Sequence, residues 1–109
     1  MNDRKKYGGV YLNKSRGTYQ VKPYNPIIKK ELYLRSFKDK DDADKVFNEW
    51  VFDFLSENTI LLDKNISIDR THKLFHYAFI WNDRKINIGS SKIYKEVLDI
   101  RLEFIKHIF

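Results

Sequence analysis

The sequence carries one order of short apolar segments twice, and this internal repeat limits the folds that the chain can adopt. The pattern of residues 10–12 is matched by residues 66–68, and that of residues 19–21 by residues 75–77, both at an offset of 56. After the next turn the offset becomes 54, because Ile88 then matches Leu34. Such a change is expected in a turn, where insertions and deletions are tolerated. The chain is therefore predicted to contain two copies of one small supersecondary unit.

Each copy begins with strand-like segments and ends with a helical pattern. In the first copy, residues 10–12, 18–22 and 32–34 predict three strands. From Asp39 the apolar spacing becomes helical, and Asp39 with Asp42 predicts the N-terminus of that helix. We expect an α+β fold of two tandem βββα units, each a three-stranded antiparallel sheet packed on one helix. The expected boundaries are residues 1–57 for the first unit, 58–63 for a linker and 64–109 for the second unit.

The apolar positions of the two helices predict which of their faces are buried. The first helix places these residues on one face: Ala43, Val46, Phe47, Trp50, Val51, Phe54 and Leu55. The second helix, expected over residues 94–108, buries Val97, Leu98, the stem of Arg101, Leu102, Ile105 and Ile108. Ile100, Phe104 and Phe109 then lie outside that stripe.

Charge is segregated along the chain, and the surplus is basic. The net charge is +6, from 21 Lys and Arg against 15 Asp and Glu. Residues 1–38 hold ten bases and two acids, residues 39–56 hold six acids and two bases, and residues 64–95 hold seven bases and two acids. A basic surplus carried by the strand-forming segments favours an anionic partner.

The composition also bears on the compartment. The chain has no Cys, which removes disulfides and thiolate chemistry and is consistent with a reducing cytoplasm. No apolar run approaches the length of a membrane helix, and residues 1–6 lead into Tyr7 without the apolar segment of a signal peptide. We expect a cytoplasmic protein without a membrane partner, associated with the nucleoid if it binds DNA.

Several short motifs, in this order, resemble the Apetala-two/ethylene-response-factor (ERF) DNA-binding domain. In the first copy these are Gly9-Val10, Gly17-Thr18-Tyr19, residues 33–37, Asp41-Asp42-Ala43 and Phe47-Asn48; in the second they are residues 85–90 and 94–97. Arg35 replaces a glycine of the family, Ser91 replaces the aromatic residue that Phe37 supplies, and the second copy lacks a clear Gly-Val start. The resemblance implies a three-stranded sheet laid in the DNA major groove with a helix behind it. Relatives of this domain occur in phage and mobile-element proteins.

The resemblance and the strand alternation together nominate residues for DNA binding. By motif position, the resemblance places Tyr11, Asn13, Lys22, Tyr24 and Tyr33 where the family touches DNA. Long cations on turns and rims are expected to contact phosphates; these are Lys14, Arg16, Lys29, Lys30 and Arg35. The same logic in the second copy exposes His76, Lys85 and Asn87, with Arg70, Lys73 and Arg84 on flanking turns. Ala78 and Ile80 share that face and could meet thymine methyl groups or pack on protein. Trp81 could anchor the turn or stack on a base.

Catalytic and metal sites are not predicted. His72 and His76 would lie roughly 13 Å apart on one strand, too far to chelate one ion. The acidic run 39–44 lacks the glycine of a calcium loop and is better explained as a helix start. Because no nucleophile–base pair stands at recognisable spacing, we expect no enzyme activity, no cofactor and no metal.

The leading hypothesis is a small non-enzymatic protein that binds double-stranded DNA, encoded by a phage or mobile element and acting in transcription regulation or recombination. The chief alternative is a phage-encoded inhibitor or adaptor, such as an anti-defence protein, that binds a host protein or nucleoprotein complex. The outward Ala78 and Ile80 and the apolar residues outside the last helix's stripe would favour it. A third possibility is RNA binding through stacked tyrosines.

Overall fold

The computed structural model describes residues 7–108 and has an α+β fold. The chain forms two compact units, Met1–Val51 and Phe52–Phe109. Each has an antiparallel sheet, and the two helices follow the two sheets in the chain, as the repeat predicts. The expected boundary followed residue 57, whereas the units divide inside the first helix. Residues 1–6 and Phe109 lie outside the described part of the chain.

The first sheet is organised around its second strand. It comprises β1 (Gly8–Asn13), β2 (Thr18–Asn25), β3 (Lys30–Glu31) and β4 (Arg35–Phe37), and β2 pairs with the other three. The single third strand expected at residues 32–34 is instead divided into β3 and β4. The pairs Tyr24↔Glu31 and Val21↔Arg35 leave one more residue on the third strand than on β2. This extra residue interrupts the ladder, as a β-bulge does.

The second sheet follows the same plan with an unbroken third strand. It comprises β5 (Ile66–Asp69), β6 (Leu74–Trp81) and β7 (Arg84–Ser91), in the order β5-β6-β7. A bulge at the step from Tyr77 to Ala78 leaves Ile88 as the extra residue of β7. Ile88 corresponds to Leu34 at the offset of 54. The extra residue of the first sheet falls among residues 32–34, so the irregularity lies in corresponding segments of the two third strands.

The strand registers reproduce the two offsets of the sequence. Val10↔Val21 in the first sheet corresponds to Ile66↔Tyr77 in the second, with both partners 56 residues further along. Tyr19↔Phe37 corresponds to Phe75↔Ser91, where the second-strand partner moves by 56 and the third-strand partner by 54. The sheets thus repeat in hydrogen-bond pairing as well as in apolar pattern.

The first helix, α1 (Lys40–Glu57), begins where the sequence predicts. Asp39 Oδ1 accepts a hydrogen bond from the Asp41 amide at 2.8 Å. Asp41 and Asp42 lie in the first turn, where their negative charges are favoured by the positive end of the helix dipole. The core also includes a residue of α1, Phe52, that is absent from the predicted apolar face. Phe52 is buried and meets Phe75 edge-on, with ring centroids 5.2 Å apart. The last turns of α1 therefore belong to the second unit.

The second helix, α2 (Tyr94–Ile108), buries Val97 as predicted but differs from the predicted stripe at three other positions. Phe104 meets Phe79 and Tyr77 at centroid distances of 5.1 and 5.9 Å, and Ile100 lies close against Gly89. Leu102, expected in the core, is 62% exposed. The predicted stripe was therefore wrong at Ile100, Phe104 and Leu102. Tyr94 packs on Phe75, with ring centroids 4.9 Å apart, and this contact holds the start of the helix against the strands.

The segment expected as a linker is folded. Thr59–Leu61 form a 3₁₀ turn, and the Asp63 amide donates a hydrogen bond to the Tyr94 hydroxyl at 2.9 Å. Within residues 7–108, neither helix has the length and apolar character that a membrane crossing requires.

Candidate nucleic-acid interface

One face of the first sheet carries the buried side chains of Val21 and Pro23, and the other face is mostly polar. Val21 is fully buried, and side chains of successive strand residues point to opposite faces. The register places Tyr11 opposite Gln20 and Gln20 opposite Ser36. We call the face opposite Val21 the first outer face; it carries Tyr11, Asn13, Gln20, Lys22, Tyr24 and Ser36. Four of the five positions nominated by the resemblance therefore share one face.

Tyr33, the fifth of those positions, lies in the gap between β3 and β4. Its side chain is exposed, and its hydroxyl shares a 2.6 Å hydrogen bond with Ser36 Oγ. Because Ser36 belongs to the first outer face, this hydrogen bond brings the Tyr33 hydroxyl to the same surface. The break in the third strand thus leaves Tyr33 beside the residues with which it was grouped.

Arg35 lies on the other face from the remaining nominated residues. It pairs with Val21 across the ladder, and directly opposite residues share a face. Its guanidinium sits 4.8 Å from the centre of the Phe37 ring and is exposed at the rim of the sheet. Gly89 occupies the corresponding place in the second unit, where a Cβ would approach Ile100 Cγ2 to 3.0 Å. The exposed setting of Arg35 leaves room for a long side chain where the second unit has a glycine.

Three hairpin loops share one conformation that positions exposed cations. Asn13 Oδ1 accepts hydrogen bonds from the amides of Ser15 and Arg16, at 3.1 and 3.4 Å. Asn25 Oδ1 does the same for residues 27 and 28, and Asp69 Oδ1 for residues 71 and 72. Each four-residue loop ends on a residue with positive φ: Gly17, Lys29 and Lys73. The Asn13 oxygen is thus engaged in holding its own turn.

These loops place most of the nominated phosphate-contact residues in solvent. Lys14 and Arg16 lie in the β1–β2 loop, Lys29 and Lys30 at the β2–β3 hairpin, and Lys73 in the β5–β6 loop, all exposed. An Asn or Asp before a four-residue stretch is a sequence signal for such turns that is independent of the repeat.

The second sheet also has an outer face, opposite the buried Phe75 and Tyr77. Its register groups His76 with Ser67 and Ser90, Ala78 with Asn87, and Ile80 with Lys85. These seven residues form the second outer face. Ala78 is buried, whereas Ile80, Lys85 and Asn87 are exposed. Of the two apolar positions expected on this face, Ile80 alone is accessible.

Arg70 has a structural role in the second unit. Its Nε donates to Ser56 Oγ at 2.7 Å, and its Nη2 donates to the Ser56 carbonyl in the last turn of α1. Cationic side chains at a helix C-terminus satisfy carbonyls that lack a partner within the helix. Arg70 is exposed, as Lys73, Arg84 and Lys85 are, but its guanidinium is engaged by Ser56.

Asp69 brings two histidines together at the base of the second outer face. Its Oδ2 lies 2.9 Å from His72 Nδ1 and 3.8 Å from His76 Nε2. The hydrogen bond from the His72 ring, followed by that from the His72 amide, lowers the pKa of the Asp69 carboxyl. The expected strand separation of the two histidines was wrong, because His72 lies in the hairpin loop. Among the described residues, no group of three or more His, Asp or Glu side chains is arranged to hold a metal ion.

Comparisons with protein-family models, with curated proteins and with solved structures find no match to this chain.

Proposed function

We propose that this protein is a non-enzymatic binder of double-stranded DNA that lays the outer face of each sheet in the major groove. The observation that carries the proposal is the composition of the first outer face. Gln20, Lys22 and Tyr24 follow one another on β2, and Tyr11 lies beside Gln20 on β1. Their amide, ammonium and hydroxyl groups match the donors and acceptors that base edges present in that groove.

Cations outside this face supply sequence-independent affinity. Lys14 and Arg16 flank one end of β2, and Lys29 and Lys30 flank the other. All four side chains are exposed. Lys and Arg on loops beside a reading surface fix the register of a protein on DNA through phosphates. The resemblance to the ERF domain supports the same mode of docking.

The second unit offers a smaller polar surface for the same purpose. Lys85 and Asn87 are exposed on its outer face, and His76 is half-buried there. Ala78 is buried and Arg70 is held by Ser56, so two of the surrounding residues contribute less than the sequence indicates. The first sheet is therefore proposed as the principal reader.

A salt series of binding tests this function. Fluorescence anisotropy would measure binding of the full chain to random-sequence duplex DNA, single-stranded DNA and RNA. We expect the duplex to bind most tightly, with log affinity falling steeply and linearly with log salt. Absence of duplex binding at about 50 mM salt, where non-specific phosphate contacts are strong, would refute the proposal. A preference for RNA or single strands would refute it in favour of stacking on the tyrosines.

The contribution of the β2–β3 hairpin can be isolated with a matched pair of variants. Replacing Lys29 and Lys30 by Ala should weaken binding about equally for all sequences and reduce the log–log slope by about two units. The control replaces Lys45 and Lys106, exposed lysines on the two helices, and removes the same charge. Equal slopes for the two variants would show that only net charge matters.

A protein-binding adaptor is the second candidate, and the exposed Ile80 favours it. The structure weakens the other features that would favour protein binding. Ala78 is buried, Ile100 and Phe104 pack toward the sheet, and Phe109 lies outside the described residues. We therefore rank this candidate below DNA binding.

A further inference from the structure

The second sheet extends beyond its first strand as a two-stranded ribbon. The pair Ile66↔Tyr77 marks the end of β5, and four further pairs, from Ala78↔Asn87 to Trp81↔Arg84, join β6 and β7 alone. The bulge at Ile88 lies where the ribbon begins, and bulges increase local twist. Asn82 and Asp83, both with positive φ, close the tip in a tight turn. We call residues 78–87 the second ribbon.

This ribbon exposes large apolar side chains. Trp81 is 61% exposed, Ile80 59% and Ile86 46%. Trp81 stacks on Phe79 with centroids 6.3 Å apart and an interplanar angle of 21°, so the indole has a defined orientation although it faces solvent. Arg84 pairs with Trp81, and Lys85 pairs with Ile80. An exposed apolar group on a projecting hairpin indicates a binding surface.

The first unit has a counterpart at the same place in the repeat. The pairs Tyr24↔Glu31 and Asn25↔Lys30 form a short hairpin whose loop contains Ile27 and Ile28. Both isoleucines are 56% exposed. Their amides bond to Asn25 Oδ1, so the backbone is fixed while the side chains project. We call residues 24–31 the first ribbon.

The two tips share a chemistry although their loops differ in length and sequence. The first tip presents the exposed apolar side chains of Ile27 and Ile28, and the second presents those of Ile80, Trp81 and Ile86. Each then carries two adjacent exposed cations, Lys29-Lys30 and Arg84-Lys85. One acid accompanies each set, Glu31 in the first ribbon and Asp83 in the second. The repetition of an apolar tip with a cationic base indicates a common ligand that is apolar at one point and anionic on either side.

Stacked bases flanked by phosphates have this arrangement. We propose that each ribbon tip is a wedge that inserts an apolar side chain at a base step of duplex DNA while its two cations hold the neighbouring phosphates, so that the protein bends its DNA. This inference rests on the proposed function, and it adds a deforming contact to the outer faces of the sheets. In proteins that bind the minor groove, apolar wedges unstack a base step and kink the duplex by about 20–90°, which sets the scale of the bend expected here.

The charge at the tips favours DNA over a protein surface. A docking patch for a protein is typically depleted of Lys, although not of Arg, and three of the four tip cations are lysines. In the second ribbon, each of the two most exposed apolar residues has a cation as its direct cross-strand partner. Phosphates on both sides of a base step would neutralise those cations.

The test measures DNA shape and DNA affinity in one titration of the full chain. A duplex of about 30 base pairs, short against the persistence length of DNA, carries a donor and an acceptor dye at its ends. A second duplex carries 2-aminopurine at several steps, which fluoresces more strongly when unstacked. We expect the wild type to raise both the end-to-end energy transfer and the 2-aminopurine signal on binding.

Variants of the tips and a matched control assign the effect. The tip variant replaces Ile27, Ile28 and Ile80 by Ser and Trp81 by Thr. The control replaces two exposed apolar residues outside the tips, Ile60 (92% exposed) and Leu102 (62% exposed), by Ser. The tip variant should lose more than half of both signals and keep its salt slope, because its cations remain. The control should behave as the wild type, and circular dichroism melting would show that all three proteins are folded.

The outcomes separate this inference from the function on which it rests. Duplex binding without bending or unstacking would overturn the wedge and leave DNA binding by the sheets intact. Equal bending by the tip variant and the wild type would also overturn it. If the wild type binds no duplex, both proposals fail, and the exposed tips would be assigned to a protein partner.

Discussion

Asp69 has two roles in the structure, and its counterpart Asn13 shares one of them. Both side chains accept two amide hydrogen bonds within their loops. Only Asp69 also binds a histidine ring, through its second oxygen. The loop therefore needs an oxygen acceptor, whereas the contact with His72 is strengthened by a charge.

The charge of Asp69 makes its contribution depend on pH. Its pKa lies below the ordinary 3.8, because the His72 hydrogen bonds favour the carboxylate. The stabilisation is therefore fully present above pH 3.8 and is lost as the pH falls through the lowered pKa. Asp69→Asn keeps the loop acceptor, so it should lower stability at neutral pH, with the difference from wild type shrinking as the pH falls through the lowered pKa. Thermal melting at a series of pH values would measure this, and a constant difference would contradict it.

Gly8 is required by the backbone on two counts. Its φ is +82°, and a Cβ would overlap the Lys22 carbonyl oxygen and lie 2.7 Å from the Tyr24 nitrogen. Gly17 has a φ of +64° with open space around it. Gly8→Ala should therefore destabilise the protein by about 2 kcal/mol or more, and Gly17→Ala by only about 1 kcal/mol. Urea unfolding of the two variants compares them, and equal losses would show that strain in φ alone is responsible.

At the scale of elements, α2 shows how packing selects one helix face from several apolar ones. Phe104 packs against the Phe79 and Tyr77 rings, whereas Leu102 faces solvent. Phe104→Ala should cost about 2–3 kcal/mol of unfolding free energy, and Leu102→Ala less than about 0.5 kcal/mol. Denaturant unfolding distinguishes the two. A larger loss at Leu102 would restore the face that the hydropathy pattern favours.

The elements differ in how far sequence alone predicts them. The strand alternation and the cap at Asp39 identify β1, β2 and α1, since these signals lie within a few residues of each other. The division of the third strand in the first sheet escapes prediction because one extra residue changes pairing without changing apolar pattern. That shift also separates Arg35 from Tyr11 and Lys22, whose shared face follows from simple alternation. The role of Arg70 depends on Ser56, a long-range contact that no local pattern encodes.

At the scale of the whole molecule, the boundary between the two compact units does not coincide with the boundary between the two sequence copies. The second unit includes the end of α1, because Phe52 packs on Phe75 and Arg70 bonds to Ser56. A domain cut after the first helix would remove an aromatic group from the core of the second unit. The first helix therefore contributes residues to both compact units, although each unit has its own sheet.

Two fragments of the second unit test this division. A fragment of residues 46–109 retains Phe52 and Ser56, and a fragment of residues 59–109 lacks both. The longer fragment should unfold cooperatively, and the shorter should be less stable by about 3 kcal/mol or more, since losing a buried Phe costs about that much. Phe52→Ala in the longer fragment is the matched control, because it removes the ring and leaves the helix end in place. If the shorter fragment melts at the same temperature as the longer one, the boundary lies after residue 57, as the sequence predicts.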